Sequence, residues 1–155
     1  SRFPIKVAAN HDITVDGYEP RGCLSAEIEV SGGSSLNFIN VHMGTSYFER
    51  RKQVQKLLET DAIAADAETA KRIVAGDFNE WIIGLATRLF RERFACLDPK
   101  EHLGRRSTFP GILPVLHLDN IYFDRTLKLR NASLHRSRTA LLASDHLPII
   151  ADFEI

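Results

Sequence analysis

A short apolar run near the middle of the chain constrains the fold more than any other feature. Residues 72–76, RIVAG, are almost wholly apolar, which is typical of a central strand that is buried on both faces. Patterns with helical spacing flank this run, at residues 46–67 before it and 82–94 after it. A buried strand between two helices predicts a layered α/β domain in which helices cover a sheet.

The two helical segments are predicted from the spacing of their apolar residues. Ser46 and Glu49 have the Ser-x-x-Glu spacing of a capping box, which predicts the start of the first helix. Its apolar face then consists of residues that recur at helical spacing, namely Val54, Leu57, Leu58, Ala62 and Ala65. In the second helix the apolar face comprises Ile82, Leu85, Leu89 and Phe90, and the outward side chains are Arg88, Arg91 and Arg93.

Strands are predicted at 3–9, 23–30, 36–41, 72–76, 118–123, 127–134 and 148–155. Within 23–30 the apolar residues alternate with Ser and Glu, which indicates one buried face, and the turn SGGSS predicts a hairpin with 36–41. Prolines and glycines make residues 95–117 mostly loop. A hairpin within an α/β arrangement predicts a mixed sheet. The absence of repeats and linkers predicts one domain over residues 1–155.

Composition bounds the classes of function. The formal net charge of the chain is zero, which counts mildly against a protein that holds nucleic acid mainly through its phosphates. No apolar run approaches the length of a membrane span. Cys23 and Cys96 are far apart and have no zinc-binding spacing, so two thiols in a reducing compartment are favoured over a disulfide. A cytoplasmic location is therefore expected.

Polar side chains lie at the ends of four predicted strands. His42 follows the strand 36–41, Asp77 and Asn79 follow 72–76, Asp119 stands at the head of the strand 118–123, and the segment Ser144-Asp145-His146 precedes 148–155. Each of these motifs alone is compatible with an ordinary turn or cap, since Asp, Asn and Ser bond nearby backbone. Their joint occurrence at strand ends predicts a functional site in a layered α/β fold.

These motifs, taken in order, resemble those of a known family. The segments LNFINVHM, RIVAGDFNE, LDNIYF and SDHLPIIADFEI are similar to the later part of the endonuclease/exonuclease/phosphatase superfamily, and GDFN with SDHLP is the strongest pair. That superfamily includes DNase I-like nucleases, abasic-site endonucleases, neutral sphingomyelinases and inositol polyphosphate phosphatases. The resemblance implies a DNase I-like layered α/β sandwich with mixed, largely antiparallel sheets. It also implies that the chain is the C-terminal two-thirds of a catalytic domain, incomplete at its N-terminus.

The resemblance assigns three residues to the scissile phosphate. His146 matches the histidine that contacts this phosphate, and Asp119 matches its carboxylate partner. His42 matches a second histidine on the phosphate side. A carboxylate that orients a charged imidazole is well suited to stabilise a developing negative charge.

Other family residues concern water, metal and substrate. Asp77 resembles the residue that orients or deprotonates the attacking water, and Asn79 resembles an amide that binds a phosphate oxygen or that water. Asp145 matches an acidic residue near the metal, which would be Mg²⁺ or Mn²⁺. Phe109 lies in a segment that matches a loop beside the site, where contact with substrate and simple packing are equally compatible with the pattern. The principal metal-binding glutamate of the family matches no residue of this chain.

Arg50 and Gln53 also match a family pattern, but their spacing favours a solvated helix face. The resemblance as a whole implies a divalent-metal-dependent phosphoesterase that cleaves a phosphodiester or phosphomonoester by in-line water attack. The alternatives are a nuclease that acts on DNA or RNA, and a non-catalytic fragment or binding module. Neutral charge favours a small-molecule or lipid-headgroup ester as substrate over nucleic acid. An exposed half-sandwich predicts self-association of the chain or binding of the missing segment.

Overall fold

In the computed structural model, residues 1–64, 71–82, 84–104 and 107–154 are described. The strands in these ranges are β1 Ile5–Asp12, β2 Gly22–Glu29, β3 Ser35–His42, β4 Lys71–Asp77, β5 Ala95–Cys96, β6 Asp119–Phe123, β7 Lys128–Leu134 and β8 Ile149–Glu154. The helices are α1 Tyr47–Glu59, α2 Asp61–Ala64, α3 Leu85–Arg93, α4 Pro99–His102 and α5 Arg138–Ala143. No helix among the described residues is both long enough and apolar enough to cross a membrane.

A six-stranded sheet of order β1-β2-β3-β4-β6-β5 forms the centre, and β7 pairs with β8 in a second sheet. All pairs are antiparallel except β3 with β4, which are parallel because α1 and α2 carry the chain back between them. The predicted hairpin is β2–β3, in which Cys23 pairs with Val41 and Glu29 with Ser35. The mixed, largely antiparallel α/β arrangement expected from the sequence is confirmed.

The two faces of the large sheet are covered differently. On one face, Ile39, Val74 and Tyr122 pack with side chains of α1 and α3 in the main core. On the other face, Leu36, Ile73 and Phe123 pack with residues of the β7–β8 sheet, and the ring of Phe123 lies 5.0 Å from that of Phe153. The domain is thus layered as helices, sheet and sheet, and the second sheet covers one end of the first.

The prediction that the apolar residues of β2 form one buried face is only partly correct. Val30, which follows β2 and lies beside the second sheet, is 8% exposed, whereas Leu24 in β2 is 50% exposed. Phe38 of β3 is also exposed. The physical reason is that β7 and β8 pack over the Val30 end of the sheet and leave the Leu24 end uncovered. Alternation correctly identified the face but not the extent of its burial.

The helices differ from their predicted form in two ways. The first helix stops at Glu59, where the Thr60 hydroxyl donates to the Leu57 carbonyl at 2.7 Å, and the chain re-enters a short helix at Asp61. Its predicted continuation to residue 67, and Ala65, lie outside the described residues. Ser46 is the N-cap but its side chain makes no capping bond, so the predicted capping box is wrong.

The second helix starts later than predicted. It begins at Leu85, and Ile82, which was predicted on its apolar face, is 84% exposed. The buried carboxylate of Glu80 accepts bonds from the backbone N–H and the hydroxyl of Thr87 in the first turn. The start of this helix is therefore set by a contact with a residue that precedes it. A short helix, α5, over Arg138–Ala143 was not predicted from the sequence.

Candidate active site

Three of the predicted site residues form one row across the sheet. His42 at the end of β3 pairs with Asp77 at the end of β4, and Asp77 pairs with Asp119 at the start of β6. Residues directly opposite each other on paired strands point to the same face of a sheet. The row therefore gathers an imidazole and two carboxylates at one edge, on the face that carries the second sheet.

Gly76 allows β3 and β4 to come close just before this row. Its φ of +144° is in the region that favours glycine, and a Cβ there would lie 2.0 Å from the carbonyl oxygen of Val41. The glycine that precedes Asp77 is therefore required by the close approach of two strands at the site. A larger residue would displace Asp77 from His42.

His146 reaches the row from the loop between α5 and β8. Its Nδ1–H donates to Asp119 Oδ2 at 2.8 Å, and its Nε2 is 3.9 Å from Asp77 Oδ2. Burial lowers the pKa of His146, but the hydrogen bond to Asp119 and the charges of Asp119 and Asp77 outweigh this and raise it overall. The arrangement favours an oriented, charged imidazole next to Asp77.

Asp77 lies between two imidazoles. Its Oδ2 is 3.6 Å from His42 Nε2 and 3.9 Å from His146 Nε2, and its Oδ1 accepts the backbone N–H of Asn79 at 2.7 Å. Burial, aided by the nearby charge of Asp119, raises the pKa of Asp77 above its ordinary value, although the Asn79 bond and both histidines oppose this. A carboxylate with a raised pKa is a stronger base once it is ionised.

Asn79 is almost fully buried and connects two loops of the site. Its amide donates from Nδ2 to the carbonyl of Met43 at 2.8 Å, and its backbone has a φ of +49°, a conformation that asparagine tolerates better than most residues. The residue thus links the turn after β4 to the segment after β3. One of its two amide hydrogens is engaged in this link.

Sequence reasoning missed Arg21, which contacts His42. The distance from Arg21 Nη1 to His42 Nδ1 is 3.3 Å, and Arg21 Nη2 also pairs with the exposed Glu19 at 3.0 Å. A guanidinium has only donors, so Nδ1 of His42 accepts in the contact with Arg21. When the His42 ring is neutral, its one N–H is therefore assigned to Nε2, which faces Asp77. The signal for Arg21 was available in the predicted hairpin, whose register places the start of β2 beside the end of β3.

Phe109 and Asp145 are both neighbours of His146. The ring centroid of Phe109 is 4.8 Å from that of His146, so Phe109 packs against the imidazole. Asp145 is exposed, and its backbone carbonyl accepts the N–H of Gly111 at 2.7 Å. The charge of Asp145, the residue before His146, also contributes to the raised pKa of His146.

The side chains of the site offer few free ligands for a metal ion. Within residues 1–64, 71–82, 84–104 and 107–154, no group of three His, Cys, Asp or Glu side chains is arranged to hold a metal ion. Asp119 is bonded to His146, and Asp77 lies between the two imidazoles, so Asp145 is the carboxylate of this site that has no such partner. The described residues therefore supply one candidate ligand and do not by themselves form a cation site.

The expectation that Arg50 and Gln53 lie on a solvated helix face is wrong for Gln53. Gln53 is fully buried, accepts the Gly44 N–H at 2.9 Å and donates to Glu49 at 2.9 Å. Arg50 donates to the carbonyls of Gly44 and Thr45. The first turns of α1 therefore hold the segment that follows His42, because their polar side chains bond its backbone.

The chain is similar to proteins of known sequence over its whole length. It is 34% identical over 164 residues to the uncharacterized protein YbhP of Escherichia coli strain K12, and the match covers 100% of this chain and 61% of that protein. The chain thus spans about three-fifths of the relative that it matches.

Solved structures share its fold. A functionally unknown conserved protein from Enterococcus faecalis V583 superposes with a TM-score of 0.81 at 19% identity, covering 97% of this chain and 66% of that one. A mannosyl-6-phosphatase from Bacteroides thetaiotaomicron VPI-5482 gives 0.78 at 18% identity, with 99% and 67% covered. Danio rerio TDP2, complexed with single-strand DNA product, gives 0.70 at 18% identity, with 97% and 68% covered.

The family model for the endonuclease/exonuclease/phosphatase family matches residues 1–146, a range that includes the row of His42, Asp77 and Asp119 and extends to His146. The fold is that of DNase I-like domains, as the resemblance of the motifs implied. The chain belongs to the endonuclease/exonuclease/phosphatase family.

Proposed function

We propose that the chain is the catalytic part of a phosphoesterase that hydrolyses a phosphodiester or phosphomonoester by in-line attack of water. The observation that carries the proposal is the carboxylate of Asp77 between two imidazoles, one of which is paired with Asp119 at 2.8 Å. Such a set combines a base with two groups that can donate to a phosphate. Family membership supports hydrolysis of a phosphoric ester in general.

In this proposal each side chain has a distinct task. His146, held by Asp119, donates from Nε2 to an oxygen of the scissile phosphate. Asp77 orients the attacking water and accepts its proton. Asn79 keeps the loop after β4 in place by donating one amide hydrogen to the Met43 carbonyl, and its second amide hydrogen is not used in that bond. His42 donates from Nε2 to a second phosphate oxygen. Phe109 packs against His146 and restricts the motion of its ring.

A divalent cation, Mg²⁺ or Mn²⁺, belongs to the proposal as a cofactor. It would neutralise charge on the phosphate oxygens as the bond to the leaving group breaks. Asp145 is its candidate ligand in this chain, where the described residues contain no group of three His, Cys, Asp or Glu side chains that could hold a metal. The requirement for metal is tested directly by chelation.

We favour a small-molecule or lipid-headgroup ester over a nucleic acid as substrate. The formal net charge of the chain is zero, whereas binding of a phosphate backbone relies on excess positive charge. A nuclease is the second candidate, because TDP2, a protein of the same fold, was solved with single-strand DNA product. A non-catalytic binding module is the third, and the assay below separates it from both enzymes.

The test is hydrolysis of bis-p-nitrophenyl phosphate and p-nitrophenyl phosphate with Mg²⁺ or Mn²⁺, by this chain and by a version extended upstream. We expect activity that EDTA abolishes and that His146→Ala reduces by about 10³-fold or more. His135→Ala, which removes an exposed histidine bonded to Ser137, is the matched control. No hydrolysis of either ester by either protein, with the fold intact by circular dichroism, would contradict the proposal.

A further inference from the structure

Three buried polar side chains are linked by hydrogen bonds on the helix-covered face of the large sheet. They are Glu80, Thr87 and Tyr122, which are 9%, 7% and 1% exposed. The Thr87 N–H donates to Glu80 Oε2 at 3.0 Å, the Thr87 hydroxyl donates to the same oxygen, and the Tyr122 hydroxyl donates to Thr87 Oγ1 at 3.3 Å. Each hydroxyl has one proton and donates it within this network, so Glu80 is the final acceptor.

The network connects the two segments that carry the carboxylates of the candidate site. Glu80 stands three residues after Asp77, in the loop that follows β4, and Tyr122 stands three residues after Asp119, within β6. Thr87, in the first turn of α3, is bonded to both ends. Because side chains alternate along a strand, Tyr122 points to the face opposite Asp119. The network therefore acts on the site through the backbone and not by contact with a substrate.

Asn79, next to Glu80, has a backbone conformation that its neighbours must hold. Its φ of +49° lies in a sparsely populated region, which persists where the surrounding structure fixes it. On one side, Phe78 is fully buried, and its ring centroid lies 5.1 Å from that of Tyr122. On the other side, Glu80 is bonded to α3. The Asn79 N–H donates to Asp77 Oδ1 at 2.7 Å, so the contacts that fix Asn79 also fix the carboxylate of Asp77.

Glu80 also supplies the cap that the sequence of α3 lacks. The N-cap is Gly84, which has no side chain to accept an N–H of the first turn. The Glu80 carboxylate accepts the Thr87 N–H instead, and a Cβ at position 84 would lie 2.5 Å from Glu80 Oε1. Burial raises the pKa of Tyr122, although its bond to Thr87 opposes this, so the phenol keeps the proton that it donates. Loop, helix and β6 thus depend on one carboxylate.

We propose that Glu80 is a positioning residue that, through its bonds to Thr87, holds the loop after β4 so that Asp77 stays between His42 and His146. The proposal rests on the proposed function, because it concerns the placement of the base of that reaction. Loss of these bonds lets Asp77 move while the sheet stays paired. The rate of the chemical step then falls more than the binding of the ester weakens.

Hydrolysis of bis-p-nitrophenyl phosphate by the full natural protein is the kinetic test. Glu80→Ala should lower kcat by about 100-fold and Thr87→Val by about tenfold, with KM changed less than about twofold in each. Thr87→Ser keeps the hydroxyl and should restore most of kcat. The double variant Glu80→Ala with Thr87→Val should be no slower than Glu80→Ala alone, since both changes remove the same bond. Thr126→Val, at an exposed position, is the matched control.

Hydrogen exchange gives a second test that needs no activity. The Asn79 N–H should exchange about tenfold faster in Thr87→Val than in Thr87→Ser, while the amides of β7 and β8 keep their rates. An unchanged Asn79 rate, or faster exchange in both sheets alike, would overturn the proposal. Faster local exchange without hydrolysis by the unaltered protein would support the hold on the loop and contradict the phosphoesterase, whereas hydrolysis with equal kcat in every variant would do the reverse.

Discussion

Asp77 combines two properties that oppose each other. As the proposed base it must be ionised, yet its burial and the charge of Asp119 disfavour the ionised form in the folded chain and raise its pKa. A carboxyl whose pKa is higher in the folded than in the unfolded state stabilises the fold when it is protonated at low pH. Stability is then lost as the pH rises through the folded pKa, so ionised Asp77 destabilises the fold at neutral pH.

Replacement of Asp77 by asparagine should therefore stabilise the protein at neutral pH and abolish hydrolysis. The amide keeps an oxygen to accept the Asn79 N–H and removes the unfavourable charge. We expect the midpoint of thermal unfolding to rise on the order of 2 °C at neutral pH and to change less in acid. Asp16→Asn, at an exposed carboxylate, should leave the midpoint within error, and a lower midpoint in Asp77→Asn would contradict this account.

Asp119 should control the protonation of His146. Because the bond to Asp119 and the charge of Asp119 raise the pKa of His146, Asp119→Asn should lower that pKa, which NMR titration of the imidazole measures directly. Hydrolysis should fall by about 10²- to 10⁴-fold. Asp145→Asn should produce a smaller shift, since Asp145 contributes less to the raised pKa.

The same bond gives a pH-dependent contribution to stability. The pKa of His146 is higher in the folded chain, so the contribution is complete below the ordinary histidine pKa and is lost as the pH rises through the raised value. Asp119→Asn should consequently destabilise the fold more at about pH 5 than at about pH 9. Equal destabilisation at both values would show that Asp119 acts through packing alone.

At the scale of elements, the junction of β3 and α1 fixes the segment after His42. Gln53 and Glu49 are buried on α1, and Gln53 bonds the Gly44 N–H and the Glu49 carboxylate. Position 44 requires glycine, because a Cβ there would lie about 2 Å from the Glu49 carboxylate. Helix, loop and strand end are thus held together by a buried polar network, which is stable only when its members are satisfied.

Gln53→Leu should destabilise the fold although it adds apolar volume to the core. It would leave the Gly44 N–H without its partner and Glu49 without its donor, at a cost of about 1–3 kcal/mol, or about 5 °C in thermal midpoint. Gln55→Leu, the same change at an exposed position of α1, is the matched control and should have little effect. A midpoint that is unchanged in Gln53→Leu would show that the network contributes nothing to stability.

On the scale of the whole molecule, one end of the large sheet carries apolar side chains that the second sheet does not cover. Leu24 is 50% exposed and Phe38 is 36% exposed on this face, and their neighbours toward β7 and β8 are buried. Apolar surface of this kind promotes association, since burial removes it from water. Self-association through this face is therefore a prediction for the chain.

Sedimentation velocity over a range of concentrations tests this prediction. We expect the average mass to rise with concentration, and Leu24→Ser or Phe38→Ser to weaken association about tenfold each. Ile82→Ser, an exposed apolar change away from the sheet, should have no effect. A chain that stays monomeric at high concentration would contradict the prediction.

Local sequence patterns predicted the strands and the residues at their ends. Alternation and apolar runs identified β2, β3 and β4, and the side chains that follow such strands are brought to a sheet edge wherever the strands pair. His42, Asp77 and Asp119 were predicted at strand ends, and the pairing of β3, β4 and β6 in the structure sets them in one row. His146 was predicted with them because its motif precedes the last predicted strand, and the family resemblance then assigned its role.

The structure decided the properties that depend on residues far apart in the chain. Gln53 is polar and lies on a helix with many charges, so only its contact with Gly44 shows that it is buried. Leu24 belongs to an alternating strand, so only the limited reach of β7 and β8 shows that it is exposed. Arg21 has no motif, and although the predicted hairpin sets the start of β2 beside the end of β3, only the structure shows that Arg21 contacts His42.

The sequence by itself therefore determined the family, the class of fold and the residues at the strand ends, because periodicity and local motifs are properties of neighbouring residues. The tertiary structure alone decided which polar side chains are buried, which ring nitrogen of each histidine faces Asp77, and where apolar surface is left uncovered. Burial, pKa and surface depend on what packs against a residue, and in this chain the packing partners come from distant segments.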